Sequence, residues 1–393
     1  MEKYDFDTVV PRRGTNSYKW DTPEQEGVLP MWVADMDFRA APCIVEALRR
    51  RVSHGVFGYT RVPAAYYDAV TDWFARRHGW RIDPHWILYT TGVVPALSAV
   101  IKALTVPGDR VIVQTPAYNC FYSSIRNNGC ELLANRLRYE GGAYTIDFDD
   151  LETKASDPKA KLLLLCNPHN PVSRAWKREE LQALIDLLAR YGAYLIADEI
   201  HADFVYAPEQ FVPVLSLAQK NVLSLCAASK TFNLAGLEQA AMLVPDEAVR
   251  AKINTEMERA GVRSGNLFAL EGTRAAYEYG DAWLDGLMRY LDGNRKHLTA
   301  VVKQELPQAV LTPMEATYLG WLDLRAYGMN CEELMARTLK HGVQFTEGTF
   351  FGEGGEGFLR VNIGCPRRNI TEGIRRLKEA LDEAVEEKVH GVD

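Results

Sequence analysis

The chain has 393 residues, of which 47% are hydrophobic and 25% charged, with a formal net charge of -7. That length allows two or three domains with ample core, and the balance is that of an ordinary soluble globular protein. The acidic excess argues against a general affinity for nucleic acid or anionic membrane, and no apolar stretch approaches the length of a membrane span.

The N-terminal residues, MEKYDFDTVVPRRGTNSYKWD, are polar and lack the apolar run of a signal peptide. The seven cysteines (43, 120, 130, 166, 226, 331 and 365) are scattered, form no CxxC pair and suggest no disulfide framework. A reducing cytoplasm, no metal site and small-core roles for most of these thiols are expected.

In chain order, a helix is predicted over 42–52, ending in a solvated Arg49-Arg50-Arg51, and another over 64–78. Short apolar runs follow at 111–113, 162–165, 194–197, 222–225 and 240–244. Each suits a strand of a parallel sheet buried on both faces. A helix over 179–190 places Leu181, Leu184, Ile185 and Leu188 on one stripe. This alternation predicts an α/β fold with a doubly wound sheet. After about residue 285 the pattern shifts to long amphipathic helices and a few strands, closing with Ile374, Leu377, Leu381 and Val385 on one helical face. The expected organisation is a large α/β domain over 40–285 and a smaller α+β domain built from 1–39 with 286–393.

Four segments lie where an open α/β sheet binds its ligand, at the C-terminal ends of strands. Tyr194–Ala197 runs into Asp198-Glu199, a carboxylate pair that could equally be a helix cap or a metal ligand. Val222–Cys226 leads through small residues to Ser229-Lys230-Thr231; a lysine there is commonly a solvated loop residue, but the small neighbours leave room for a bulky group. Asn167-Pro168-His169-Asn170-Pro171 forces a non-helical turn that can present an amide. Thr91-Gly92-Val93-Val94 is a glycine turn entering a helix, whose free N–H groups could hold a phosphate, though it is no Walker motif. In the last third, strand alternation puts Arg360 and Asn362 on one face, with Leu359, Val361 and Ile363 on the other. The planar fork of Arg360 suits a carboxylate. The preceding Gly352–Gly357 carries two glutamates that would repel a phosphate, so it reads as a hairpin connection.

Together these segments resemble, in order and spacing and over essentially the whole chain, the fold-type I pyridoxal 5′-phosphate (PLP) aminotransferase superfamily. Met31-Trp32-Val33-Ala34-Asp35-Met36-Asp37-Phe38 is similar to a signature of its cystathionine β-lyase, or cysteine C–S lyase, branch. So are Tyr4–Asp7, Phe57-Gly58-Tyr59-Thr60, Asp198-Glu199-Ile200-His201 and Ser229–Asn233. The resemblance implies a large PLP-binding domain with a mostly parallel mixed sheet flanked by helices, plus a smaller α+β domain. It implies that Lys230 is the catalytic Schiff-base lysine and that Asp198 pairs with the pyridine nitrogen. Asn170 would bond the 3′-oxygen, Tyr118 stack on the ring, and Gly92, Val93 and Val94 hold the phosphate, with His201 and Ser229 also at the cofactor. Tyr59 would reach the phosphate of the neighbouring subunit of a homodimer. Arg360, with Asn170, Val33 and Ala34, would hold the amino-acid substrate.

The implied reaction is β-elimination on cysteine S-conjugates such as cystathionine, giving a thiol, pyruvate and ammonia. A PLP aminotransferase and a protein that keeps PLP as a structural ligand are the alternatives. A pocket of Trp32, Tyr118, Tyr122 and residues near Phe350 would choose the substrate. Three positions depart from the common aminotransferase pattern: Glu238 replaces a phosphate-binding cation, His201 a tyrosine, and Ser173 a glycine.

Overall fold

The computed structural model describes residues 4–22, 26–262 and 265–390, without the side chains of 388–390. Its frame is a seven-stranded sheet: β1 (Ile87–Thr90), β2 (Arg110–Thr115), β3 (Glu131–Arg136), β4 (Ala160–Cys166), β5 (Tyr194–Asp198), β6 (Val222–Cys226) and β7 (Ala240–Leu243), in the order β1-β7-β6-β5-β4-β2-β3. Five of the strands could be drawn from apolar runs because both faces of the sheet are buried. Leu162, Leu164, Ile196, Leu223 and Met242 pack on one side, and Leu163, Leu165, Leu195, Val222 and Leu243 on the other. With no solvent face, the period-two polar signal vanishes.

Two departures from the sequence reading have physical causes. The 240–243 strand is antiparallel to both neighbours, β6 and β1, rather than parallel; nothing in an apolar run encodes strand direction. The edge strands β1 and β3 were not predicted. β1 is only four residues long, and β3 mixes Glu131, Asn135 and Arg136 with apolar residues because one edge faces water.

Helices form where expected, over Pro42–Ser53, Ala64–His78 and Arg178–Tyr191. The last starts with Glu179 and Glu180 in its first turn and stops at left-handed Gly192, so charge and cap agree with the helix dipole. A smaller sheet, β8 (Val310–Leu311), β9 (Leu319–Asp323), β10 (Thr346–Glu347) and β11 (Phe358–Asn362), is antiparallel, in the order β8-β9-β11-β10. Residues 348–357 join β10 to β11, so the glycine-rich stretch is a hairpin connection. Among the described residues all seven cysteines are free and no helix is long and apolar enough to cross a membrane.

Asn167–Pro168 and Asn170–Pro171 are both cis. Ser173, which closes this turn, has φ 64°, a backbone region where glycine is the usual tenant. Its buried hydroxyl lies 2.7 Å from the carbonyl oxygens of Ala316 and Leu319 and 2.9 Å from Thr317 Oγ1. The strain of serine there is offset by a fully satisfied hydroxyl that ties the turn to β9. Ser173→Ala keeps the strain and removes the bond, which should cost about 1–3 kcal/mol. Ser173→Gly removes both, so urea denaturation is expected to rank stability as wild type, then Gly, then Ala.

Candidate active site

The parallel strands end at one rim, and the segments that leave them enclose a cavity of about 260 Å³. Its wall includes Gly92, Val93 and Val94 after β1, Tyr118 after β2, Asn170 after β4, Asp198 and His201 from the end of β5, and Ser229 and Lys230 after β6. Ala34, from the extended stretch before the first long helix, closes it. Distant pieces of sequence therefore converge on one chamber, as the ends of an open α/β sheet are built to do.

Its charged groups are buried. Lys230 Nζ donates to the Ala34 carbonyl at 2.7 Å. Burial, then the nearby Arg360 cation, lowers this amine from 10.5 to about 8, with Asp35 and Asp198 opposing. Asp198 is 3% exposed and accepts the Ile200 N–H at 3.1 Å; burial pushes its carboxyl up to about 7. A cation placed against it would restore the carboxylate. Burial, Lys230 and Arg360 together push His201 down to about 3, so it is a neutral imidazole, and its Nδ1 is buried without a partner.

Arg360 comes from β11, on the other sheet. Its Nη1 donates to Asn170 Oδ1 at 3.1 Å and its Nη2 to the Trp32 carbonyl at 2.6 Å, while Nε is buried with no partner. The guanidinium also lies 4.8 Å from the Phe351 ring centroid. Asn362, the same-face neighbour foreseen from alternation, donates to the Val33 carbonyl at 2.5 Å and the Asp35 carbonyl at 2.7 Å.

Val33, Arg360 and Tyr59 do not line the chamber. Val33 turns its carbonyl to Asn362, Arg360 is joined to the chamber through Asn170, and Tyr59 is fully exposed. Of the residues expected to choose substrate, Trp32, Tyr122 and Phe350 lie outside the chamber: Trp32 Nε1 bonds the Lys19 carbonyl, Tyr122 Oη bonds the Phe351 carbonyl and Phe350 is nearly half exposed. Sequence reasoning missed Cys166, Ile200, Ala235 and Gln239 in the wall, and Tyr318, whose hydroxyl reaches the Ala34 carbonyl at 2.9 Å. Tyr318 carried no local signal, whereas Cys166 could have been found as the last residue of an apolar strand.

The set suits a phosphorylated aromatic aldehyde. A buried amine of lowered basicity can condense with the aldehyde, and a buried carboxylate can hold a ring N–H. The helix Val93–Leu104 turns its first N–H groups to the same chamber. A family model for class I and II aminotransferases matches residues 27–377. The chain belongs to this family. It is 46% identical to cystathionine β-lyase PatB of Bacillus subtilis, over 96% of this chain and 99% of that protein. Two solved structures are also similar: cystalysin of Treponema denticola, which contains a PLP cofactor (34% identity, TM-score 0.93, 97% and 99% covered), and the PLP-bound C–S lyase of Staphylococcus hominis (31%, 0.91, 96% and 98%).

The lowered basicity of Lys230 has a measurable sign. Only the neutral amine attacks an aldehyde, so the rate at which cofactor-free protein takes up PLP should climb about tenfold per pH unit and level off above about pH 8. An ordinary lysine would keep climbing toward 10.5; stopped-flow absorbance separates the two profiles.

Proposed function

We infer that this chain is a PLP-dependent carbon–sulfur lyase that performs β-elimination on cystathionine-type cysteine S-conjugates, releasing a thiol, pyruvate and ammonia. The convergence of Lys230, Asp198 and Asn170 on one buried chamber, with Arg360 bonded to Asn170, carries this reading. The 46% identity to a cystathionine β-lyase over nearly the full length of both chains favours elimination over amino transfer, which the fold alone would not decide.

PLP, when bound, supplies an electron sink for the pair left on Cα as its proton departs. The chain's own residues do the rest. Lys230 would bind the cofactor aldehyde and, once free as an amine, would take the Cα proton. Asp198 would keep a proton on the ring nitrogen, and Asn170 would bond the 3′-oxygen. Tyr118 covers the ring face, and its phenol, raised by burial, stays protonated. Val93 and Val94 offer N–H groups to the phosphate from a helix start, with Gly92, Ser229 and neutral His201 nearby. The unpartnered Nε of Arg360 is free for a substrate α-carboxylate.

The homodimer belongs to the same reading. Tyr59 is 104% exposed, and Val56 and Phe57 beside it are more than half exposed. Such an apolar stretch is suited to burial against a second copy, where Tyr59 would reach the partner's phosphate. The division into 40–285 and 1–39 with 286–393 is supported by Leu29–Pro30, which pairs with Val343–Gln344. The helix Asp281–Glu305 links the two parts.

Two outcomes test the reading. Purified protein should show a PLP absorbance band, absent in Lys230→Ala, and release pyruvate from L-cystathionine over many turnovers. Conversion to the pyridoxamine form, with turnover only when a keto acid is supplied, would make it an aminotransferase. Glu238 lines the chamber and, among the described residues, no basic side chain pairs with it. Its carboxylate opposes a phosphate, so Glu238→Gln should slow PLP loss in dialysis several-fold relative to wild type.

A further inference from the structure

Beyond the residues that line the chamber, one buried carboxylate joins the two segments that carry its lysine and its aspartate. Asp203 sits shortly after β5, in tight turns where Ala202 N–H bonds the Glu199 carbonyl and Phe204 N–H the His201 carbonyl. Its Oδ2 accepts from Thr231 Oγ1 at 2.6 Å. Its Oδ1 accepts from Trp73 Nε1 at 3.2 Å and lies 3.0 Å from His78 Nε2. The segment that presents Asp198 and His201 is thereby bonded to the residue directly after Lys230, and both are bonded to the helix Ala64–His78.

The packing around this knot is tight. Phe232 is fully buried, stacks on Trp283 at 5.6 Å and meets Trp73 edge-on at 5.5 Å. Trp73 in turn stacks on Tyr277 at 5.1 Å. Burial works against a charge on Asp203, but His78 close by, the Thr231 hydrogen bond and the Arg77 cation outweigh it and hold its carboxyl below the ordinary value. The other groups coupled to its charge are Cys226 and Tyr277, which it pushes up.

We propose that Asp203, through Thr231, is a positioning residue for Lys230: it fixes where the amine stands relative to Asp198 and to the substrate Cα. This rests on the reading of Lys230 as the cofactor lysine. Among the described residues, the backbone of the short helix Ala228–Thr231 is tied only to the residues that follow it, through Phe232, Asn233 and Leu234 N–H, so the side-chain tether on its last residue is what relates the lysine's segment to the one that carries Asp198. An error of about 1 Å in such a base is costly to rate while leaving substrate affinity intact.

The test compares Thr231→Val, which keeps the shape and removes the hydroxyl, with Thr231→Ser, which keeps the hydroxyl. Both are assayed as holoenzyme, with active protein counted by bound-cofactor absorbance. For Thr231→Val, kcat should fall at least fivefold with KM within twofold of wild type, and Thr231→Ser should restore it. Asp203→Asn should show the same split, and the double variant with Thr231→Val should be no worse than the poorer single one. A Thr231→Val holoenzyme with wild-type kcat, whatever its melting temperature, overturns the proposal while the PLP reading stands. A wild-type protein without the cofactor band would instead remove the PLP reading itself. If Asp203→Asn does not fold, the Thr231 pair still decides.

Discussion

A run of backbone carbonyls holds the active site together. Residues 32–36 cross between the two sheets without pairing as a strand, and buried carbonyls demand donors. The Trp32 carbonyl receives Arg360 and Thr346, that of Val33 receives Asn362, and that of Ala34 receives Lys230 and Tyr318. Those of Asp35 and Met36 receive Asn362 and Asn233. Each donor comes from elsewhere: Lys230 and Asn233 follow β6, while Arg360 and Asn362 belong to β11. Satisfying one stretch of peptide therefore fixes Lys230 and Arg360 in a common frame. The stretch is itself anchored from outside, where Asp37 takes Lys19 at 2.9 Å and Arg12 at 2.8 Å, and Asp35 takes Arg12 at 2.7 Å.

That frame brings like charges close in a buried place. Burial and then the Arg360 cation lower the Lys230 amine to about 8, and burial lowers the guanidinium itself to about 10. On the acidic side, Asp198 and Glu199 are both raised to about 7 by burial, but they have different fates. Glu199 is consumed by protein donors: Asn167 Nδ2 and Val214 N–H at 3.0 Å and Ser224 Oγ at 2.5 Å. Asp198 keeps one protein N–H and faces the chamber. Charges that a stable fold would avoid or saturate are left available at the chamber, and this divides Asp198 from the saturated Glu199.

The sequence exposed the parts of the molecule whose causes are local. Apolar runs gave the five central strands, and the patterns over 42–52, 64–78 and 179–190 marked the helices that form over Pro42–Ser53, Ala64–His78 and Arg178–Tyr191. The alternation in Phe358–Asn362 correctly paired Arg360 with Asn362. What it could not show depends on partners far along the chain. The direction of Ala240–Leu243 is set by neighbours on both sides, and β3 looks like loop because it is an edge. Tyr318 and Thr346 enter the site only because β9 and β10 flank β11. Ser173, marked as a departure from glycine, is tolerated through acceptors that lie more than a hundred residues away. Resemblance, rather than the chemistry of each residue, singled out Lys230, Asp198 and Asn170, since each alone left several readings open.

The Met31–Phe38 signature shows why such recognition outruns residue-by-residue chemistry. Its side chains mostly point away from the chamber. Trp32 Nε1 bonds the Lys19 carbonyl, Asp37 is spent on ion pairs and on Trp20, and Phe38 packs edge-on against Phe6 and Tyr290. Those contacts fix the path of the backbone, and the backbone does the work at the site. Ala34 is a wall residue whose own carbonyl engages the amine. A side chain there would reach the wall, but no choice of side chain could replace the acceptor. The motif thus encodes a shape held by its outward-facing residues, and the function it supports is carried by peptide groups that every sequence possesses. That is why the signature could be matched as a pattern while the donors it serves became visible only in three dimensions.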